Sequence, residues 1–118
     1  MLKMIINKGE FSCELESFSE GLNRREQDNQ SFSESLILYE LTVNIKTPDI
    51  QIEDFSSFLR YNSITSIDIY VEENEESIEI FSSEKFTEVF NISKLVNKYD
   101  PSDALTTIYF RNVQGTAN

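Results

Sequence analysis

Apolar and polar side chains alternate along most of this chain, the pattern of β-strands with one buried face. The clearest example is the stretch from Ile64 to Phe81, ITSIDIYVEENEESIEIF. It predicts two strands that reverse at Asn74, a residue that tolerates the left-handed backbone of a tight turn. The predicted buried positions are Ile67, Ile69, Val71, Ile78 and Ile80. The predicted solvent-facing positions are Ser66, Asp68, Tyr70, Glu72, Glu79 and Phe81.

The first half of the chain contains three further strand candidates. Leu2–Ile6 and Phe11–Phe18 flank a turn at residues 7–9 and predict an opening hairpin, with Phe11, Cys13 and Leu15 on its inward face. Leu36–Lys46 is the longest candidate, and it begins with apolar residues on both faces. That beginning predicts a central place in the sheet. Its predicted core residues are Tyr39, Leu41 and Val43.

The spacing of the apolar positions changes after Pro48, which cannot donate a hydrogen bond to a neighbouring strand. Over Ile52–Tyr61 the apolar side chains recur at helical spacing, which predicts one short amphipathic helix lying on the sheet. Ser19–Ser35 is polar and predicts an exposed loop, either flexible or ordered on a partner. A short helix over Glu20–Gln27 remains an alternative.

The last third of the chain predicts two more strands. In Phe86–Ser93 the residues Phe86, Phe90 and Ile92 are in phase, and Val89 is out of phase. Lys94–Tyr99 is ambiguous, and Asp100–Asp103 has the sequence of a turn. Ala104–Val113 is strongly β-prone, and the residues after Val113 are expected to fray.

Together these segments predict the fold class. We expect a single domain over residues 1–118 with an α+β fold that is mostly antiparallel β. It would have about seven strands in a sandwich or curled sheet. The one short helix would pack on that sheet.

Charge narrows the range of partners. The formal net charge is −11, so the protein should repel nucleic acid and anionic membranes. A basic protein is therefore a better candidate partner than a nucleic acid, and an acidic surface could also mimic nucleic acid. The short apolar run at the N-terminus is broken by Lys3, so we expect neither a signal peptide nor a membrane span. The expected location is the cytoplasm of a host cell or a virion.

The reactive side chains are few. The chain has no histidine and one cysteine, Cys13, so it can form neither an internal disulfide nor a Cys–His or Ser–His pair. The usual zinc and iron ligand sets are missing as well. Asp100 and Asp103 could be imagined as an acid–base pair, but the predicted turn already accounts for Asp100. We therefore expect a protein that is not an enzyme and that has no cofactor and no metal site.

The strongest candidate for a functional site is the acidic turn of the Ile64–Phe81 hairpin. The sequence supplies no basic residue there to offset its carboxylates, so it could be a finger that meets a basic partner. The alternative is a charge-protected hairpin that discourages edge-to-edge aggregation. The candidate partner-binding residues are Asp68, Glu72, Glu73, Glu75, Glu76 and Glu79.

In composition and strand order, the whole chain resembles small, acidic accessory proteins rich in Asn, Ser and Ile that are carried by phages and prophages of low-GC Gram-positive bacteria. No diagnostic motif carries this resemblance, so it transfers no residue roles. It implies one of two functions. The first is a protein–protein interaction or assembly module of the tail or baseplate type, with self-association as one possibility. The second is a small acidic inhibitor or nucleic-acid mimic that binds a basic effector such as a defence nuclease.

Overall fold

The structure is a computed structural model that describes residues 1–26, 35–97 and 100–116. Its described elements are β1 (Leu2–Ile6), β2 (Phe11–Leu15), β3 (Ser17–Glu26), β4 (Ser35–Lys46), α1 (Ile52–Tyr61), β5 (Ile67–Glu73), β6 (Glu76–Ser83), β7 (Glu88–Asn97) and β8 (Asp100–Thr116). Short 3-10 turns lie at Asn7–Gly9 and Thr47–Asp49.

The strands form two four-stranded sheets, in the orders β2-β1-β5-β6 and β3-β4-β8-β7. Every strand pairing is antiparallel. The predicted α+β class, with mostly antiparallel strands in a sandwich-like fold and one helix, is confirmed. β4 lies in the middle of its sheet, as its apolar beginning predicted. α1 has the predicted bounds.

The chain changes sheets at Glu16, between β2 and β3. The Glu16 backbone N–H donates to the Asn44 carbonyl oxygen at 2.8 Å, which ties the corner to β4. The single strand predicted over Phe11–Phe18 is therefore two strands in different sheets. The predicted inward face of its first part is confirmed, because Cys13 and Leu15 are buried and Phe11 packs against the core.

The loop predicted for Ser19–Ser35 is wrong over residues 19–26, and so is the alternative helix over residues 20–26. β3 pairs from Ser17 to Glu26 with Asn44 to Ser35 of β4. Backbone pairing holds this polar sequence at a sheet edge, where Leu22 is 62% exposed and residues 19–22 are all exposed. The remainder of that predicted loop, residues 27–34, lies outside the described residues.

The core lies between the two sheets and α1. Its fully buried members include Met4, Ile6, Leu41, Val43, Ile45, Phe55, Ile67, Ile69, Ile108 and Phe110. Leu41, Val43, Ile67 and Ile69 were predicted as core, and Tyr39 is partly buried against it. α1 is fixed by the buried Phe55, whose ring centroid lies 4.9 Å from that of Phe11 on β2.

Ile78 and Ile80 were wrongly predicted as core, since they are 59% and 46% exposed. A register shift between β5 and β6 accounts for Ile80, since Ile69 faces Phe81 but Tyr70 faces Glu79. This β-bulge leaves Ile80 as an extra residue without a partner in the pairing, so Phe81 takes the inward position and its ring lies 5.8 Å from that of Phe18. Ile78 keeps the face of its partner Val71, but Val71 is itself only partly buried near the end of the hairpin.

A similar shift in β7 overturns the phase predicted for Val89 and Phe90, whereas Phe86 and Ile92 share the core side as predicted. The pairing with β8 shifts between Val89 and Asn91. Val89 and Ile92 pack against the core, while Phe90 is 40% exposed. The turn predicted at Asp100–Asp103 is also wrong, because the backbone there already belongs to β8, which continues to Thr116. β8 continues through residues 114–116, where fraying was expected, and residues 117 and 118 lie outside the described residues.

Candidate interaction surface

The acidic hairpin closes with a two-residue turn. Asn74 and Glu75 both have positive φ, 51° and 66°, and they connect the facing residues Glu73 and Glu76. Positive φ at both central residues is the conformation of a type I′ turn, whose twist matches that of the flanking strands. Asn is common in this conformation, whereas Glu is not. The turn directs Glu73, Glu75 and Glu76 into solvent, where all three are exposed.

Two positive charges from β1 and the N-terminus approach this turn. The Met1 ammonium group donates to the Glu72 carbonyl oxygen at 3.2 Å, and Lys3 Nζ lies 3.9 Å from Glu72 Oε1. β1 runs beside β5, so Leu2 faces Val71. Residues 64–81 contain no basic side chain, so this partial compensation comes only from the pairing of β5 with the distant β1.

Asp68 does not belong to the exposed acidic surface, so its assignment as a partner-binding residue is wrong. Its side chain is only 2% exposed. Lys8 Nζ donates to Asp68 Oδ2 at 3.1 Å, and Ser82 Oγ donates to Asp68 Oδ1 at 2.5 Å. The hydrogen bond and charge of Asp68 raise the pKa of Lys8 above its ordinary value. The carboxylate therefore joins the 7–9 turn to β5 and β6 inside the structure.

Ser66 is also buried. It was predicted to face solvent, but it is 5% exposed. The turn before β2 covers it, because the Asn7 side chain accepts from the backbone N–H groups of Thr65 and Ser66 at 2.7 and 3.3 Å. Alternation alone cannot show that a turn from another strand covers the outer face of β5.

The remaining candidate residues stay on the surface. Glu72, Glu73, Glu75 and Glu76 gather at the end of the hairpin; we call these four the acidic tip. Glu79 lies on exposed β6, where the Tyr70 hydroxyl donates to its Oε1 at 3.5 Å. Met1 and residues 72–77 line a shallow depression of about 320 Å³ at this end of the sheet.

β6 adds two features that the sequence did not reveal. It is an edge strand of the described sheet, and its exposed side chains include Ile78 and Ile80. An edge strand presents unpaired backbone donors and acceptors, which can pair with a strand from another chain. We call the exposed strand from Glu76 to Ile80 the β6 edge.

The hydrogen-bond pattern shows which residues of the β6 edge point outward. In a two-residue hairpin the residues flanking the turn, Glu73 and Glu76, form the hydrogen-bonded pair, and the next pair is not hydrogen-bonded. That next pair is Glu72 and Ser77. Consistently, the Glu72 N–H points the other way and donates to Met1 O at 2.8 Å. The backbone groups of Ser77 and Glu79 therefore face outward.

Reactive chemistry is sparse elsewhere in the described residues. Burial raises the pKa of the Cys13 thiol to about 12, with a smaller contribution from the charge of Asp49, so this thiol is a poor nucleophile at neutral pH. Over residues 1–26, 35–97 and 100–116, no three His, Cys, Asp or Glu side chains are grouped so that they could hold a metal ion.

Searches with the chain against protein-family models, curated proteins and solved structures returned no match. In the described part of the chain, no helix has the length and apolar character needed to cross a membrane.

Proposed function

We propose that this protein is a non-enzymatic protein–protein interaction or assembly module that docks a partner along the β6 edge. The observation that carries the proposal is the coincidence of exposed Ile78 and Ile80 with an unpaired strand edge. Exposed apolar side chains supply contact area, and hydrogen bonds to the outward backbone groups of Ser77 and Glu79 would orient a partner strand along the edge. The resemblance to phage and prophage accessory proteins favours a tail or baseplate-type role.

A photo-cross-linker tests this proposal. A benzoylphenylalanine side chain in place of Ile78 should capture a discrete protein from lysate of the source cell. The same side chain in place of Tyr61, which is 76% exposed at the end of α1, is the matched control and should not. An apolar interface responds little to salt, so capture should persist at about 1 M salt, where the screening length is about 3 Å. Equal capture from both positions would overturn the proposal.

The acidic tip supports a second candidate function, a small acidic inhibitor of a basic effector. Four glutamates at one end of the hairpin form a concentrated negative surface, even with Lys3 beside Glu72. Charge complementarity acts mainly on the association rate, which can rise by about 10–10³-fold and falls steeply with salt. Capture at position 78 that disappears at high salt would favour this function over assembly.

The inhibitor function makes a separate prediction. Replacing Glu72, Glu73, Glu75 and Glu76 by Gln should slow association with the captured partner by about tenfold or more at low salt. The fold should be retained, because exposed charges contribute little to stability. Surface plasmon resonance measures the rates. The control variant carries the same charge change at four exposed glutamates outside the hairpin: Glu10, Glu14, Glu20 and Glu53. Equal rates for both variants would show that net charge, and not the acidic tip, steers binding.

A further inference from the structure

The other exposed strand edge in this half of the chain belongs to β7, and it differs from the β6 edge in charge. β7 lies at the end of the order β3-β4-β8-β7. Its sequence, EVFNISKLVN, contains one glutamate and one lysine. Arg111 on β8 binds Glu88 through two hydrogen bonds, Nε to Oε2 at 3.2 Å and Nη2 to Oε1 at 3.0 Å. The edge is therefore close to neutral in a chain with a net charge of −11.

Apolar side chains are exposed along the same strand. Leu95 is 72% exposed, Val96 53% and Phe90 40%. Phe90 packs on Tyr109 with ring centroids 5.6 Å apart, and Leu95 faces Leu105 across the β7–β8 pairing. A near-neutral edge strand with exposed apolar residues lacks the charged side chains by which proteins usually prevent edge pairing.

The hydrogen bond between Glu16 and Asn44 shows which backbone N–H and C=O groups of β7 point outward. The Asn44 carbonyl accepts from Glu16, so the backbone groups of Asn44 point away from β8. Asn44 faces Thr107, and Thr107 faces Ser93. The backbone groups of successive residues in a strand point alternately to the two neighbouring strands, so those of Thr107 point toward β7 and bond to Ser93. The backbone groups of Ile92 and Lys94, on either side of Ser93, therefore point outward.

We propose that β7 pairs antiparallel with β7 of a second copy of this chain, with the two-fold axis at Ser93. This register sets Ile92 opposite Lys94 of the other copy, so both outward residues find partners and about four backbone hydrogen bonds form. It also keeps the two Lys94 side chains from facing each other. The regular stretch is Asn91–Leu95, because the pairing with β8 shifts on both sides of it.

Charge favours a second copy at β7 and disfavours one at β6. Pairing two β6 strands would bring Glu76 and Glu79 of both copies together, and like charges across a strand pair are destabilising. Pairing two β7 strands joins two near-neutral surfaces and keeps the acidic tips available for a different partner. The result is one eight-stranded sheet that is shared by two copies, an isologous interface of the kind most homodimers use.

Analytical ultracentrifugation over a range of protein concentrations tests the pairing. The wild type should form a dimer, and dimerisation should strengthen as salt rises, because each copy carries a charge of −11 and salt screens the repulsion. This salt response is opposite to that of an acidic tip bound to a basic partner. A monomer at about 1 mM protein in high salt would overturn the inference, since a Kd well above about 1 mM would leave no appreciable dimer.

Two variants locate the interface. Lys94→Pro removes an outward N–H that the described sheet does not use, and it should weaken the dimer by about tenfold or more, whereas Lys94→Ala keeps the N–H and should not. If Lys94→Pro disturbs folding, Ser93→Glu serves instead, because Ser93 is exposed and the two-fold axis sets the two introduced carboxylates directly opposite each other. An unchanged dimer in Ser93→Glu, or a dimer lost in Ser77→Pro on β6, would overturn the β7 assignment.

The inference goes beyond the proposed docking along the β6 edge, and the two can fail separately. A monomeric protein that is still captured through position 78 would refute the β7 pairing and leave the proposed docking edge intact. A β7 dimer whose position 78 captures nothing would refute the docking edge and leave self-association.

Discussion

Ile69→Ala should lower the free energy of unfolding by about 2–5 kcal/mol, the usual range for removing a large aliphatic side chain from a core. Ile69 is fully buried in the middle of the first sheet, between Met4 on β1 and Phe81 on β6. Truncation would leave a cavity that this close-packed site cannot easily fill. Urea unfolding followed by circular dichroism measures the change.

The matched control is Ile78→Ala, the same substitution on the partner strand of the same hairpin. Ile78 is 59% exposed, so its truncation should change the free energy of unfolding by no more than about 0.5 kcal/mol. Equal losses at the two positions would mean that the Ile78 side chain is buried. The β6 edge would then lose the exposed apolar residues on which the docking proposal depends.

Predictions from the sequence were correct where one face of an element is buried along its whole length. The periods of β1, of the buried part of β4 and of α1 are uninterrupted, and the bounds of β1 and α1 agree with the predicted ones. They failed at Ile80 and Phe90, where a bulge adds one residue to one strand. A bulge leaves no mark on composition, since it depends on the partner strand, and it reverses the phase of the residues beyond it.

The candidate site was predictable to a similar degree. The four glutamates of the acidic tip could be found because they flank a reversal that local sequence determines. Asp68 could not be separated from them, because its burial depends on Lys8 and Ser82, which come from two other segments. The edge positions of β6 and β7 likewise depend on strand order, which pairs segments far apart in the chain.

The two edges now suggest a division of roles within one small protein. The β6 edge ends in the acidic tip, which discourages pairing with another copy and favours a basic or apolar partner of different sequence. The β7 edge has its one glutamate bound by Arg111 and offers less resistance to a second copy. If both proposals hold, a dimer would present two acidic tips, and bivalent attachment would strengthen binding to a repeated partner.

Asp68→Ala should lower the free energy of unfolding by about 1–3 kcal/mol, the range for losing buried hydrogen bonds to a charged group. The carboxylate is 2% exposed and accepts from both Lys8 and Ser82, so its removal leaves the Ser82 hydroxyl without this acceptor. Glu79→Ala is the control, an exposed carboxylate on the same hairpin, for which we expect a change within about 0.5 kcal/mol.

The pH dependence of the same pair gives a second measurement. Asp68 raises the pKa of Lys8 above its ordinary value of 10.5, so the folded protein holds this proton more tightly than the unfolded chain does. The resulting contribution to stability is fully present below pH 10.5 and is lost as the pH rises through the folded-state pKa. The stability difference between wild type and Lys8→Met should therefore shrink above pH 10.5.

The comparison of Asp68→Ala with Glu79→Ala decides where Asp68 belongs. Equal losses of unfolding free energy would mean that Asp68 is a surface carboxylate and returns to the candidate partner-binding residues.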